Sequence, residues 1–129
     1  MLVLLDTHLI LWGAAEPHRL PAAARARIED PATHLAFSVV AIWEVSIKLA
    51  RRRPGFLFDP ARLRTLLLAN GYREIDITGA HALAVRDLPR VHGDPFDRIL
   101  IAQARVEGAT LLTVDAAMAR YGAPVELVR

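Results

Sequence analysis

Leu2-Val3-Leu4-Leu5-Asp6-Thr7-His8 is the stretch on which the fold turns. Leu2 to Leu5 form a short, continuous apolar run. Such a run reads as a strand buried on both faces, as in a sheet covered by helices on either side. It stops at Asp6, and the apolar residues Leu9, Ile10, Leu11 and Trp12 then begin a helix. A buried strand that passes at once into a helix is the first half of an α/β unit.

The same alternation continues outward from that stretch. Glu16-Pro17-His18 is a break, and Pro21 sits where a first helical residue would, ahead of an alanine- and arginine-rich helix over Ala22 to Glu29. Asp30-Pro31 ends it. Leu35-Ala36-Phe37 predicts a second strand, and Ser38 caps a long helix from about Val39 to Arg52. Arg51-Arg52-Arg53-Pro54-Gly55 closes that helix as a basic loop. Asp59-Pro60 opens a helix through Leu68, stopped by Asn70-Gly71. Tyr72 to Ile77 alternates as a third strand, and Thr78 caps a helix from Gly79 to about Leu88. After a loop over Pro89 to Gly93, Asp94-Pro95 starts a strong helix that runs to Glu107 and ends at Gly108. Thr110 to Val114 predicts a fourth strand, Ala116 to Tyr121 a short helix and Val125 to Val128 a last strand.

Strands alternating with helices predict one domain over residues 1–129: a three-layer α/β/α sandwich with a mainly parallel central sheet. In such folds ligands sit beyond the carboxyl ends of the strands, near a topological switch point.

About half the residues, 53%, are hydrophobic, enough for a real core at this length. The absence of cysteine excludes a disulfide framework, thiolate zinc sites and cysteine nucleophiles, and suits a reducing cytoplasm. A formal charge of +2 is too small to argue for nucleic-acid binding by itself. The positive charge is nearly all arginine, with Lys48 the only lysine. Arginine suits phosphate through its planar fork, although genome composition produces the same bias. No export signal or membrane-length apolar run is visible, so a soluble, cytoplasmic protein is expected.

The informative residues are acids. Asp6 directly follows the first predicted strand and Asp115 the fourth, at the end of the sheet where open α/β folds place their chemistry. Each is equally suited to be a helix N-cap. Glu44 is harder to explain by local structure. Its helical neighbours are Val40, Ala41, Ile47 and Lys48, so it lies on a mainly apolar face, where an unpaired charge is costly to bury. An ion pair with Lys48 is the plain alternative. In His92-Gly93-Asp94-Pro95-Phe96-Asp97-Arg98-Ile99-Leu100-Ile101-Ala102-Gln103-Ala104, Asp94 fits an N-cap with Pro95 at N1, and Asp97 falls at N3, where the helix dipole favours a carboxylate.

Asp6, Glu44, Asp97 and Asp115 brought together would repel one another without a cation. All-oxygen ligands without thiolate select Mg²⁺ or Mn²⁺. Such an ion supports phosphoryl transfer to water. No G-x-G-x-x-G, P-loop, H-E-x-x-H or G-x-S-x-G motif is present, and His8 stands where an aspartyl-phosphate phosphatase would commonly carry a second acid.

Together, Leu4-Leu5-Asp6-Thr7-His8 with Leu11-Trp12, Ser38 to Glu44, His92 to Ala104 and Leu111 to Asp115 resemble the PIN domain, specifically the VapC-type toxin nucleases of bacterial toxin–antitoxin pairs. The resemblance covers nearly the whole chain. It implies an α/β/α sandwich and an Mg²⁺- or Mn²⁺-dependent endoribonuclease with an acidic quartet at Asp6, Glu44, Asp97 and Asp115. Asp97 takes the third place because it opens the Asp-x-x-Ile/Leu-Ala-x-Ala pattern, with Asp94 supporting it. The resemblance also implies a cognate antitoxin that covers the site, and a homodimer.

Thr7, Ser38 and Thr113 stand beside these acids and are suited to orient them or a bound water, though simple helix capping accounts for Ser38 as well. Arg51, Arg52, Arg53, Arg90 and Arg98 are the candidate RNA phosphate contacts, with a merely solvated loop as the alternative for the first three. His8 and His92 fit either substrate contacts or helix caps. Trp12, Trp43, Phe56 and Phe58 offer large apolar groups to a partner or to the core. Competing functions are a non-catalytic nucleic-acid or protein-binding module on the same fold, and a DNase or phosphatase.

Overall fold

The computed structural model describes residues 1–49, 59–91 and 93–129, with Lys48 and Leu49 described by their backbone alone. The basic loop Arg51-Arg52-Arg53, Phe56, Phe58 and His92 therefore lie outside the described residues.

Parallel strands β1 (Leu2–Leu5), β2 (His34–Ser38), β3 (Arg73–Ile75), β4 (Thr110–Thr113) and β5 (Val125–Leu127) form one sheet in the order β3-β2-β1-β4-β5. The central strand β1 pairs Leu4 with Ala36 on one side and with Leu111 on the other. Helices α1 (Thr7–Ala15), α2 (Ala22–Glu29), α3 (Val39–Glu44), α4 (Pro60–Ala69), α5 (Gly79–Ala84), α6 (Pro95–Glu107) and α7 (Ala116–Ala119) connect the strands.

Period-two side-chain alternation divides the interior into two cores. Val3, Leu5, Phe37 and Leu112 face α1, α2 and α4, packing on Leu9, Ile10, Ala24, Leu63 and Leu67. Leu4, Ala36, Ile75 and Leu111 face the other way, onto Leu100, Ile101 and Ala104 of α6 and Met118 of α7. These are the two helical layers of an α/β/α sandwich, as expected. Helix α3 and the residue after it serve both cores, Ala41 and Val45 packing in the first and Val40 in the second.

Several element boundaries differ from expectation. Helix α1 starts at Thr7 rather than Leu9, because Asp6 is its cap. The helix after Ser38 is α-helical only to Glu44 and widens into a π-helical turn over Val45–Leu49. The Ser46 hydroxyl donates to the Ile42 carbonyl at 2.7 Å, a back-bond that competes with the regular ladder. Its expected end at Arg52 lies outside the described residues. Strand β3 is shorter than Tyr72 to Ile77, because it pairs only with β2 at the sheet edge and Ile77 points outward. Helix α5 stops at Ala84 and tightens into a 3₁₀ turn over Val85–Asp87, ahead of Pro89. Among the described residues no helix is long and apolar enough to cross a membrane.

Candidate active site

The chain leaves β1 toward β2 and β3 on one side, then returns to β4 and β5 on the other. The switch point is therefore between β1 and β4, where the connections diverge and open a crevice at the carboxyl ends. Asp6 follows β1, and Asp115 stands two positions beyond the end of β4. The Asp6 N–H still donates to the Leu112 carbonyl at 3.0 Å, so the ladder holds Asp6 in the crevice.

Both carboxylate oxygens of Asp6 have partners. Oδ1 accepts from the Leu9 N–H at 2.9 Å and caps α1, while Oδ2 accepts from the Thr113 hydroxyl. Thr113 Oγ1 in turn accepts from the Asp115 N–H at 3.0 Å. Asp115 Oδ1 accepts from the Ala117 N–H at 2.8 Å and caps α7. Next along the chain, the Thr7 hydroxyl donates to Glu44 Oε1 at 2.7 Å. Two buried hydroxyls thus serve the acids: Thr7 holds Glu44, and Thr113 joins the Asp6 carboxylate to the backbone of Asp115.

Asp6 is only 3% exposed, and Glu44 only 5%. Burial pushes the Asp6 carboxyl above its ordinary value. The Thr113 hydroxyl, the Leu9 N–H and the nearby His8 ring all oppose the rise but do not cancel it. Glu44 is the last residue before the π-helical turn, and its hydrogen bond to Thr7 ties α3 to the start of α1. The pair expected with Lys48 involves a side chain outside the described set.

Asp94 caps α6, with Oδ1 accepting from the Phe96 N–H at 2.9 Å. Asp97 sits in the first turn of that helix and is half-buried. The Phe96 ring meets Trp43 edge-on, with centroids 4.8 Å apart at 66°. That contact seats the start of α6 against α3, next in sequence to both Asp97 and Glu44. Among the described residues, no three acidic or histidine side chains converge closely enough to ligate one ion.

The supporting residues divide by what they touch. Thr7 and Thr113 contact acids directly. Ser38 is buried and gives its oxygen to the Val40 N–H at 3.0 Å as the cap of α3. Arg98 turns inward, donating to the carbonyls of Pro89 at 2.9 Å and Val85 at 3.2 Å and to the Tyr121 hydroxyl at 2.9 Å. Arg90 is exposed and, with Val91, Gly93 and Arg98, lines an open cavity of about 530 Å³. Met118, whose sulfur lies 3.5 Å from Thr113 Oγ1, was not foreseen from the sequence, and no local pattern marks it.

The donors suit a hard divalent cation. Asp6, Glu44 and Asp115 with Thr7 and Thr113 supply oxygen only. Asp6 is a buried carboxylate that makes no ion pair among the described residues, and a cation would offset the cost of its charge. Mg²⁺ and Mn²⁺ retain waters and do not require a complete protein cage, so a few carboxylates suffice.

A family model described as the PIN domain matches residues 3–124. The chain is 37% identical over 114 residues to Ribonuclease VapC22 of Mycobacterium tuberculosis (strain ATCC 25618 / H37Rv), covering 88% of this chain and 86% of that protein. Among solved structures, VapBC2 from Rickettsia felis, bound to a DNA fragment from its promoter, superposes with a TM-score of 0.73 over the full length of both chains at 14% identity. A toxin–antitoxin complex from Klebsiella pneumoniae gives 0.67 at 19% identity, covering 96% of this chain and 95% of that one. The structural likenesses agree on the fold, and the family match and the 37% identity extend over nearly the whole chain, which therefore belongs to the PIN domain family.

Proposed function

We propose that this chain is a divalent-metal-dependent endoribonuclease, built as one domain over residues 1–129 and acting as the toxin of a toxin–antitoxin pair. One observation carries the reading: the buried carboxylate of Asp6, at the β1/β4 switch point, is joined through Thr113 to Asp115 and adjoins the Thr7–Glu44 hydrogen bond. The kinship with Ribonuclease VapC22 supports RNA as the substrate. Kinship with complexes of VapBC type supports a cognate antitoxin partner, and a cytoplasmic homodimer is the form expected of such a toxin.

On the family resemblance Asp6, Asp97 and Asp115 would hold Mg²⁺ or Mn²⁺, with waters and the RNA phosphate completing the shell, since no three acids among the described residues converge on one ion. Bound there, such an ion would supply Lewis acidity for the phosphodiester chemistry. Glu44, whose Oε1 accepts from the Thr7 hydroxyl, would position a second metal or the attacking water. Thr113 sets the orientation of Asp6 by donating to Oδ2, and the Asp115 N–H fixes the direction of that hydroxyl. Buried, pre-oriented groups need little rearrangement as charge develops on the phosphate.

The test is to incubate the purified chain with single-stranded RNA, single-stranded DNA and a small phosphate ester under one Mn²⁺ condition. Cleavage of RNA alone supports the proposal. Retention of intact RNA would identify a binding module, and cleavage of DNA or the ester a different hydrolase. Asp6→Asn must abolish cleavage, and full activity in that variant would sink the site assignment.

A further inference from the structure

His8 follows Asp6 by two positions, yet it takes no part in capping α1, because Asp6 holds that place. Its ring is exposed, in the first turn of α1 and two positions along the chain from Asp6. One helical turn further along, Trp12 lies on the same face of α1, with ring centroids 6.1 Å apart at 57°. The far end is closed by Arg19, whose guanidinium carbon lies 4.8 Å over the Trp12 ring centroid. The Arg19 side chain is 44% exposed and also pairs with Glu16 at 3.4 Å, while Trp12 rests partly on the core. The result is a strip of imidazole, indole and guanidinium that starts beside the leading acid and leads away from it.

Packing on the core accounts in part for Trp12 but not for His8. An exposed His8 contributes nothing to either core. An aromatic ring backed by a second ring, with an arginine beyond, is the combination by which proteins hold unpaired bases. Each base stacks on a ring face, and the guanidinium takes a phosphate or stacks in turn.

We propose that His8, Trp12 and Arg19 form a nucleotide subsite next to the catalytic acids, in which an unpaired base stacks on His8 against Trp12 and Arg19 contacts the backbone. The proposal rests on the ribonuclease reading above and adds which residues hold the RNA. It assigns His8 to substrate binding and makes the bound strand single in this region, because only an unstacked base offers a free face.

Steady-state cleavage of a mixed-sequence single-stranded oligoribonucleotide with Mn²⁺ tests it in His8→Ala, His8→Phe and Arg19→Ala. Binding is read from Trp12 emission in an Asp6→Asn, Trp43→Phe background, where Trp12 is the remaining tryptophan. Loss of the stack is expected to raise KM and weaken binding about tenfold in His8→Ala. His8→Phe keeps a ring face and restores both. Arg19→Ala weakens binding and flattens its salt dependence. The RNA is expected to quench Trp12, and an abasic strand of equal length is not. An unchanged KM in His8→Ala, or a His8→Phe variant no better than alanine, would overturn the subsite. The first result is also what a strip reserved for a protein partner would give. A wild-type chain that leaves RNA intact would instead remove the ribonuclease reading on which the subsite depends.

Discussion

The hydroxyl of Thr7 donates to Oε1 of Glu44 at 2.7 Å, with both side chains buried and 37 positions apart in the chain. This bond ties the start of α1, next in sequence to Asp6, to the end of α3. Thr7→Val keeps the shape and removes the donor, leaving a buried carboxylate oxygen without that partner. The expected cost is about 1–3 kcal/mol. The urea midpoint should fall and RNA cleavage with it, while Thr7→Ser recovers most of both. A Thr7→Val chain with unchanged midpoint and rate would show that Glu44 does not depend on this tether.

Asp6 makes stability depend on pH in a defined direction. Burial raises its folded value, so the folded chain binds this proton more tightly than the unfolded chain. The associated stability is full below the unfolded value of about 3.9 and is lost as pH climbs through the raised folded value. Asp6→Asn carries no such loss. Its amide still serves the site: the oxygen accepts from Leu9, and Thr113 turns its hydroxyl hydrogen toward Met118, 3.5 Å away. In melts without divalent ions, the wild type should lose ground to Asp6→Asn as pH rises above the ordinary aspartate value of about 3.9. A constant difference over that rise would show that Asp6 is not held above its ordinary value.

The same buried charge predicts the response to cation. Mn²⁺ or Mg²⁺ bound to the folded state alone stabilises by about 2.7 kcal/mol at a hundredfold excess over Kd. Tm of the wild type should therefore rise with added Mn²⁺, and the rise should vanish in Asp6→Asn and shrink in Asp115→Asn. Equal rises in all three chains would place the bound ion elsewhere.

Much of this arrangement is written locally. A parallel strand buried on both faces shows as an unbroken apolar run, so Leu2–Leu5 and Thr110–Thr113 are readable, and with them the positions of Asp6 and Asp115 beyond strand ends. Proline and asparagine or aspartate punctuation marks α4 and α6 in the same way. Relationships across the chain leave no such trace. The sequence does not show that Thr7 meets Glu44, or that Trp43 meets Phe96 and seats α6 on α3. It does not show the π-helical turn after Glu44, within which the Ser46 hydroxyl bonds back to Ile42. His81 is a similar case: a buried imidazole that completes the capping box of α5 and also meets Glu107 at 3.0 Å.

Arg98 and Arg90 are alike by sequence as candidate phosphate contacts, and the structure sets them in different surroundings. Arg98 binds two carbonyls and the Tyr121 hydroxyl, so it fastens the loop before α6 to the segment after α7. Arg98→Ala removes these charge-assisted bonds and should destabilise by about 2–3 kcal/mol, lowering Tm whether or not RNA is present. Lysine cannot reproduce the fork, so Arg98→Lys should recover little. Arg90 is exposed on the open cavity and has no such duty. If it meets a backbone phosphate, Arg90→Ala should leave Tm unchanged, weaken RNA binding uniformly across sequences and reduce the salt slope by about 1. Salt titrations of binding beside melts of both variants separate the two roles. A fall in Tm for Arg90→Ala, or a salt-slope change confined to Arg98→Ala, would reverse the assignment.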